Sequence, residues 1–111
     1  MDTKDYLLKA RDLLTKGWCQ KAFARDGLGR FSSVKAGSAC SYCLVGALEK
    51  IDAPQEVAIF IFQNAPESVF TAWHRRREGW LTTFLTQYND APTTTKEDIL
   101  ALIDTALENL K

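Results

Sequence analysis

The stretch WCQKAFARDGLGRFSSV, residues 18–34, decides the fold, because it interrupts a chain otherwise patterned as helix. Ahead of it, Tyr6, Leu7, Ala10, Leu13 and Leu14 recur at steps of three and four, the period of one helix face. Asp2 or Thr3 is placed to cap that helix, Asp5 lies in its first turn where the macrodipole favours negative charge, and Gly17 closes it. Inside the stretch the period is lost. Aromatic and mixed residues flank Asp26-Gly27-Leu28-Gly29, whose two glycines can supply the positive φ angles of a tight turn. The reading is a short β-hairpin packed between the first two helices.

Working outward, the helical period resumes at Ser38, with Cys40, Cys43, Leu44, Ala47, Leu48 and Ile51 on one face. At DAPQE, residues 52–56, Asp52 is a cap, Pro54 a first-turn residue and Gln55 the partner of a capping box. VAIFIF (57–62) has β-branched residues that suit a buried strand, but the start signal before it favours helix. A further start at NAPES, with Asn64 as cap, opens an apolar series through Val69, Phe70, Trp73, Leu81, Phe84, Leu85 and Tyr88, which Gly79 kinks or splits. The last helix is the plainest: Thr94 or Thr95 caps it, and Ile99, Leu102, Ile103, Ala106, Leu107 and Leu110 form its stripe. The expectation is a mainly α fold of the α+β class, about five helices around one core with the hairpin after the first helix. No stretch is linker-like, so residues 1–111 read as a single small globular domain.

Composition narrows the functions. Fourteen basic and fourteen acidic side chains leave no net charge, which argues against a wide phosphate-neutralising face. The acidic, amphipathic N-terminus lacks a signal core, and no apolar run approaches the length of a membrane span. Three cysteines, an odd number, suit a reducing cytoplasm better than a disulfide framework. The chain is therefore expected in the cytoplasm, with no membrane partner.

QYNDAPTTT, residues 87–95, holds Asn89 and Asp90, whose side chains bond nearby backbone, and Pro92, which keeps Ala91 out of the helical region. A turn that starts the last helix explains these residues; a polar binding site competes with it. Here three segments, GWCQKAFARDGLGR, YCLVGAL and YNDAPTTTKEDILALIDTAL, resemble a family of small bacterial and phage proteins, a domain of unknown function. The resemblance covers most of the chain and least of residues 51–86. It implies marked positions at Trp18, Cys19, Ala24, Asp26, Gly29 and Arg30, at Cys43, Gly46, Ala47 and Leu48, and at Asn89, Asp90, Ala91 and Pro92. Tyr88 stands where the family pattern leads us to expect tryptophan, and Cys40 is an addition. The resemblance implies no reaction. If hairpin and NDAP turn meet in space, Asp26, Arg30, Asn89 and Asp90 form one polar patch beside Trp18 and Cys19.

Cys19, Cys40, Cys43 and His74 are zinc-ligand types, but a second close pair is missing and the helical cysteines share the face of Leu44 and Leu48, so buried free thiols are the default and no metal or cofactor is expected. The C-x-x-C lacks a preceding βαβ strand, which argues against redox activity. A nucleophilic Cys/His pair would need His74, which sits beside Arg75, Arg76 and Arg77 between Trp73 and Trp80. Those arginines spread around a helix, so a solvated turn outweighs nucleic-acid binding. The function expected is a protein-binding or regulatory module, not a catalyst, acting on an unknown protein partner through Trp18, Cys19, Asp26, Arg30, Asn89 and Asp90. The alternatives are an enzyme or metal-binding protein using Cys19 and Cys43 with Asp26 or Asp90, and nucleic-acid binding through Arg75–Arg77.

Overall fold

Asp2 caps the first helix, α1 (Thr3–Lys16), by accepting the Asp5 N–H, and α1 buries Leu7, Ala10 and Leu14 as the spacing predicts. The computed structural model describes residues 2–65 and 81–110, and within them four more helices and two strands follow. These are β1 (Ala24–Asp26), β2 (Ala39–Tyr42), α2 (Leu44–Lys50), α3 (Gln55–Gln63), α4 (Leu81–Asp90) and α5 (Lys96–Glu108). The expected α+β architecture, helices around one core with a β-hairpin after the first, is the one observed. At the start of α5, Thr95 and Asp98 form a reciprocal capping box, and Ile99, Leu102, Ile103 and Ala106 are buried.

α1 packs most extensively on α5 and also on α2 and α3, so its leucines meet the apolar stripes of three partners. Each fully buried Leu or Ile contributes about 1.5–3 kcal/mol, so the apolar stripes carry the stability. Arg11 adds a two-pronged ion pair from α1 to Asp104 of α5, at 2.6 and 3.2 Å. The guanidinium is held more firmly protonated by that contact, yet both side chains are about two-fifths exposed, so the pair fixes register more than it stabilises.

The hairpin differs from expectation in how its arms meet. Asp26 nucleates the tight turn: its carboxylate accepts the Leu28 and Arg30 N–H groups and the Arg30 Nε, and Gly29 takes φ of 78°. The returning chain makes only one bridge, Phe31 to Arg25, before a loop leads to β2. β2 then pairs antiparallel with β1, Ala24 opposite Tyr42 and Arg25 opposite Ser41, with a shift in register before Asp26. Tyr42 also reaches back to the end of α1, donating its N–H to the Gly17 carbonyl and accepting from Cys19.

Three local readings are corrected. Residues 39–42 are strand, not helix; their backbone groups are engaged by the chain at 17–26, and α2 begins only at Leu44 with Cys43 as its N-cap. Cys40 is thus exposed on a strand and shares no helix face with Cys43. Asp52 does not cap α3; Pro54 occupies the N-cap without a side-chain hydrogen bond, while Asp52 turns left-handed at φ 55° and pairs with Lys35. VAIFIF is helical as expected, and Asn64 closes α3. The start signal at NAPES beyond Ala65, the Gly79 kink, His74 and the Arg75–Arg77 segment lie outside the described residues.

Candidate functional site

Where α4 ends, an asparagine is fully buried. Asn89 has no exposed surface, and each half of its amide is used twice. Its Oδ1 accepts from Trp18 Nε1 at 2.8 Å and from the Leu44 N–H at 3.1 Å. Its Nδ2 donates to the Cys19 carbonyl at 3.1 Å and to Asp90 Oδ1 at 3.0 Å. Two donors facing one atom and two acceptors facing the other leave a single orientation for the amide. The Leu44 N–H opens α2 and has no partner within its own helix, so Asn89 caps a helix from 45 residues away.

Around this amide the segment after α1 is sewn to the NDAP turn. Gln20 Nε2 donates to the carbonyls of Asn89 and Ala91, both at 3.0 Å, with Thr94 O at 3.4 Å. Asp90 Oδ1 accepts the Lys21 N–H at 2.8 Å, which holds Lys21 at φ 63°, a left-handed conformation costing a non-glycine residue roughly 1 kcal/mol. Gln20 and Lys21 were missed by the sequence reading; only their place in the WCQK segment hinted at them, since nothing in periodicity marks a side chain that bonds to backbone seventy residues away.

Of the six residues expected to form one surface, Trp18, Cys19, Asn89 and Asp90 are brought together. Asp26 and Arg30 are not part of that network. They pair with each other at 2.9 Å across the tight turn, and no hydrogen bond joins them to Asn89 or Asp90. The N–H of Arg30, with that of Leu28 and the Arg30 guanidinium, holds the Asp26 carboxyl below its ordinary range.

The thiols are placed as structure. Cys43 accepts the Gly46 N–H at 3.2 Å as the cap of α2, and Cys19 donates to the Ala22 carbonyl. Burial pushes the Cys43 thiol from an ordinary 9.0 up to about 11, and burial raises Cys19 as well. At neutral pH the Cys43 thiolate fraction is roughly one in ten thousand, the reverse of an activated nucleophile. Among the described residues no group of three His, Cys, Asp or Glu side chains is arranged to hold a metal ion.

Two measurements check this assignment. Under native conditions one thiol per chain, the exposed Cys40, is expected to react with a thiol reagent, and three after unfolding. Below pH 9 the raised Cys43 pKa costs nothing, because folded and unfolded states both keep the proton. Between pH 9 and 11 only the unfolded chain ionises, so unfolding free energy is expected to fall by about 1.4 kcal/mol per pH unit from Cys43. Cys43→Ser, whose hydroxyl can still accept the Gly46 N–H, is expected to flatten that slope in urea titrations.

Beside the Asn89 network lies a cleft of about 370 Å³. Ala22, Phe23, Ala24 and Phe31 form apolar walls, and Asp90 and the buried Cys43 also line it. Phe23 and Phe31 are 51% and 76% exposed, and Leu28 on the turn between them 77%. Arg25 donates to the Gly29 and Gln20 carbonyls and sets its guanidinium over the Phe31 ring at 4.8 Å.

Fold and site together define a small α+β protein in which a buried asparagine keys a hairpin to the turn before the last helix, next to an apolar cleft. That description agrees with the resemblance drawn from its three segments. The chain belongs to DUF6197, a family of unknown function, whose sequence profile matches residues 1–109. No curated protein and no solved structure matches the chain. No helix of the described residues is long and apolar enough to cross a membrane.

Proposed function

We propose that this protein is a binding module that works by contact with a protein partner, and that its recognition surface is the hairpin side of the molecule. One observation carries the reading. Phe23, Leu28 and Phe31 expose 51%, 77% and 76% of their surface within nine residues, beside an apolar cleft. Large apolar side chains grouped in this way mark interaction surfaces. The earlier candidates then divide by role: Trp18, Cys19 and Asn89 are scaffold under the surface, Asp26 and Arg30 stiffen the turn that carries Leu28, and Asp90 faces the partner. The unpaired thiols support placing the module in a reducing cytoplasm, bacterial or phage-encoded as the family resemblance implies.

The test is affinity capture on immobilised wild type, on a Phe23→Ser/Phe31→Ser double variant, and on Leu8→Ser, an exposed apolar residue of α1 outside the cleft. Proteins held by wild type and Leu8→Ser are expected to be lost from the double variant, while its unfolding free energy changes by less than about 1 kcal/mol. Equal capture by all three would refute the proposal.

A further inference from the structure

We infer that the cleft accepts a lysine or arginine side chain of the partner, flanked by an apolar residue, with Asp90 as its counter-charge. The inference rests on the binding reading above and deepens it. Its first support is the state of the Asp90 carboxylate. Oδ1 is fixed by the Lys21 N–H and Asn89 Nδ2, while Oδ2 has neither a hydrogen bond nor an ion pair with the described residues. By contrast Asp26, Asp52 and Asp104 are each matched by a basic side chain within 3 Å. A carboxylate aimed by two donors and set against apolar walls attracts a cation more strongly than one in open water.

The second support is the aromatic wall. Phe31 is 76% exposed even with the Arg25 guanidinium over its ring, so ring surface remains for a methylene stem, although that guanidinium is a like charge that opposes a second cation. A long basic side chain can lay its methylene stem along Phe23 and Phe31 and bring its head to Asp90 Oδ2. Lys21 also lines the cleft and opposes a second cation. Its backbone rather than its ammonium engages Asp90, and its exposed side chain makes no ion pair or hydrogen bond with the described residues, so it can swing into solvent. Ser32, Thr86 and Cys43, the other polar groups along the walls, are uncharged.

The experiment titrates the ¹⁵N-labelled full chain with three capped dipeptides, Phe-Lys, Phe-Gln and Phe-Glu, and follows the amides of residues 21–24 and 90. Phe-Lys is expected to bind about tenfold more tightly than Phe-Gln, with Phe-Glu weakest. Asp90→Asn keeps an oxygen for the Lys21 N–H and is expected to erase the preference for Phe-Lys. Lys21→Ala is expected to sharpen it. Equal affinity for all three peptides, tightest binding of Phe-Glu, or no response in these amides to any peptide would overturn the inference. The docking surface itself is judged apart, by the Phe23 and Phe31 capture result, so failure of the charge preference and failure of the surface are told apart.

Discussion

Asn89→Ala is expected to lower the unfolding free energy by about 3–5 kcal/mol. The reason is what the deletion leaves behind. The Leu44 N–H and the Cys19 carbonyl lose a buried partner, and the partly buried Trp18 indole N–H loses its acceptor as well. Each stranded buried polar group costs about 1–3 kcal/mol, and a chain of this size has only about 5–15 kcal/mol in total. Asn89→Asp is the sharper variant, since it matches in shape but turns two donated bonds into oxygen facing oxygen at the Cys19 carbonyl and Asp90. It is expected to be at least as damaging near neutral pH. Thermal or urea unfolding decides the matter, with Asn64→Ala, which removes one partly buried amide from the end of α3, as comparison. A loss at Asn89 no greater than at Asn64 would mean that the buried network contributes little.

Gly46→Ala is expected to destabilise by about 3 kcal/mol, although alanine in a helix ordinarily gains about 1 kcal/mol over glycine. A Cβ at that position would stand 1.9 Å from the Phe23 carbonyl oxygen and 2.8 Å from its carbon, both backbone atoms with no rotamer to escape into. The same carbonyl accepts the Cys43 N–H, so strand and helix cannot part without breaking that bond. Gly37→Ala, where a Cβ meets nothing within 4 Å, is expected to change stability by less than about 0.5 kcal/mol. Because Phe23 forms a wall of the cleft, the Gly46 variant is also expected to weaken partner capture beyond what Gly37→Ala does. Equal stability of the two variants would show that the backbone yields at little cost.

The contrast between these two glycines marks how far the sequence could be read. Helices whose stripes were followed along their own length, α1 and α5, were legible: Leu7, Ala10 and Leu14, then Ile99, Leu102, Ile103 and Ala106, all lie buried. The same arithmetic misled at Cys40, because a true helical face beginning at Leu44 continues backward by coincidence into residues whose conformation is set by a strand elsewhere. The hairpin was expected to meet the NDAP turn with Asp26 and Arg30 in the contact; the WCQK segment makes the contact instead. Which side chains do the joining was not legible, because the burial of Asn89 and the reach of Gln20 depend on pairs about seventy residues apart. Asp26 and Arg30, drawn into the same patch from the sequence, satisfy each other within five residues, and the local pairing prevailed.

The pairing of α1 with α5, together with the amide that caps α2 from the end of α4, bears on how the chain is born. A ribosome releases α1, the strands and α2 first, and at that stage Leu44, Trp18 and the leucines of α1 lack the groups that complete them. Autonomous folding must therefore await emergence of residues 89–108, and nascent polypeptides stalled before that point are expected to depend on chaperones.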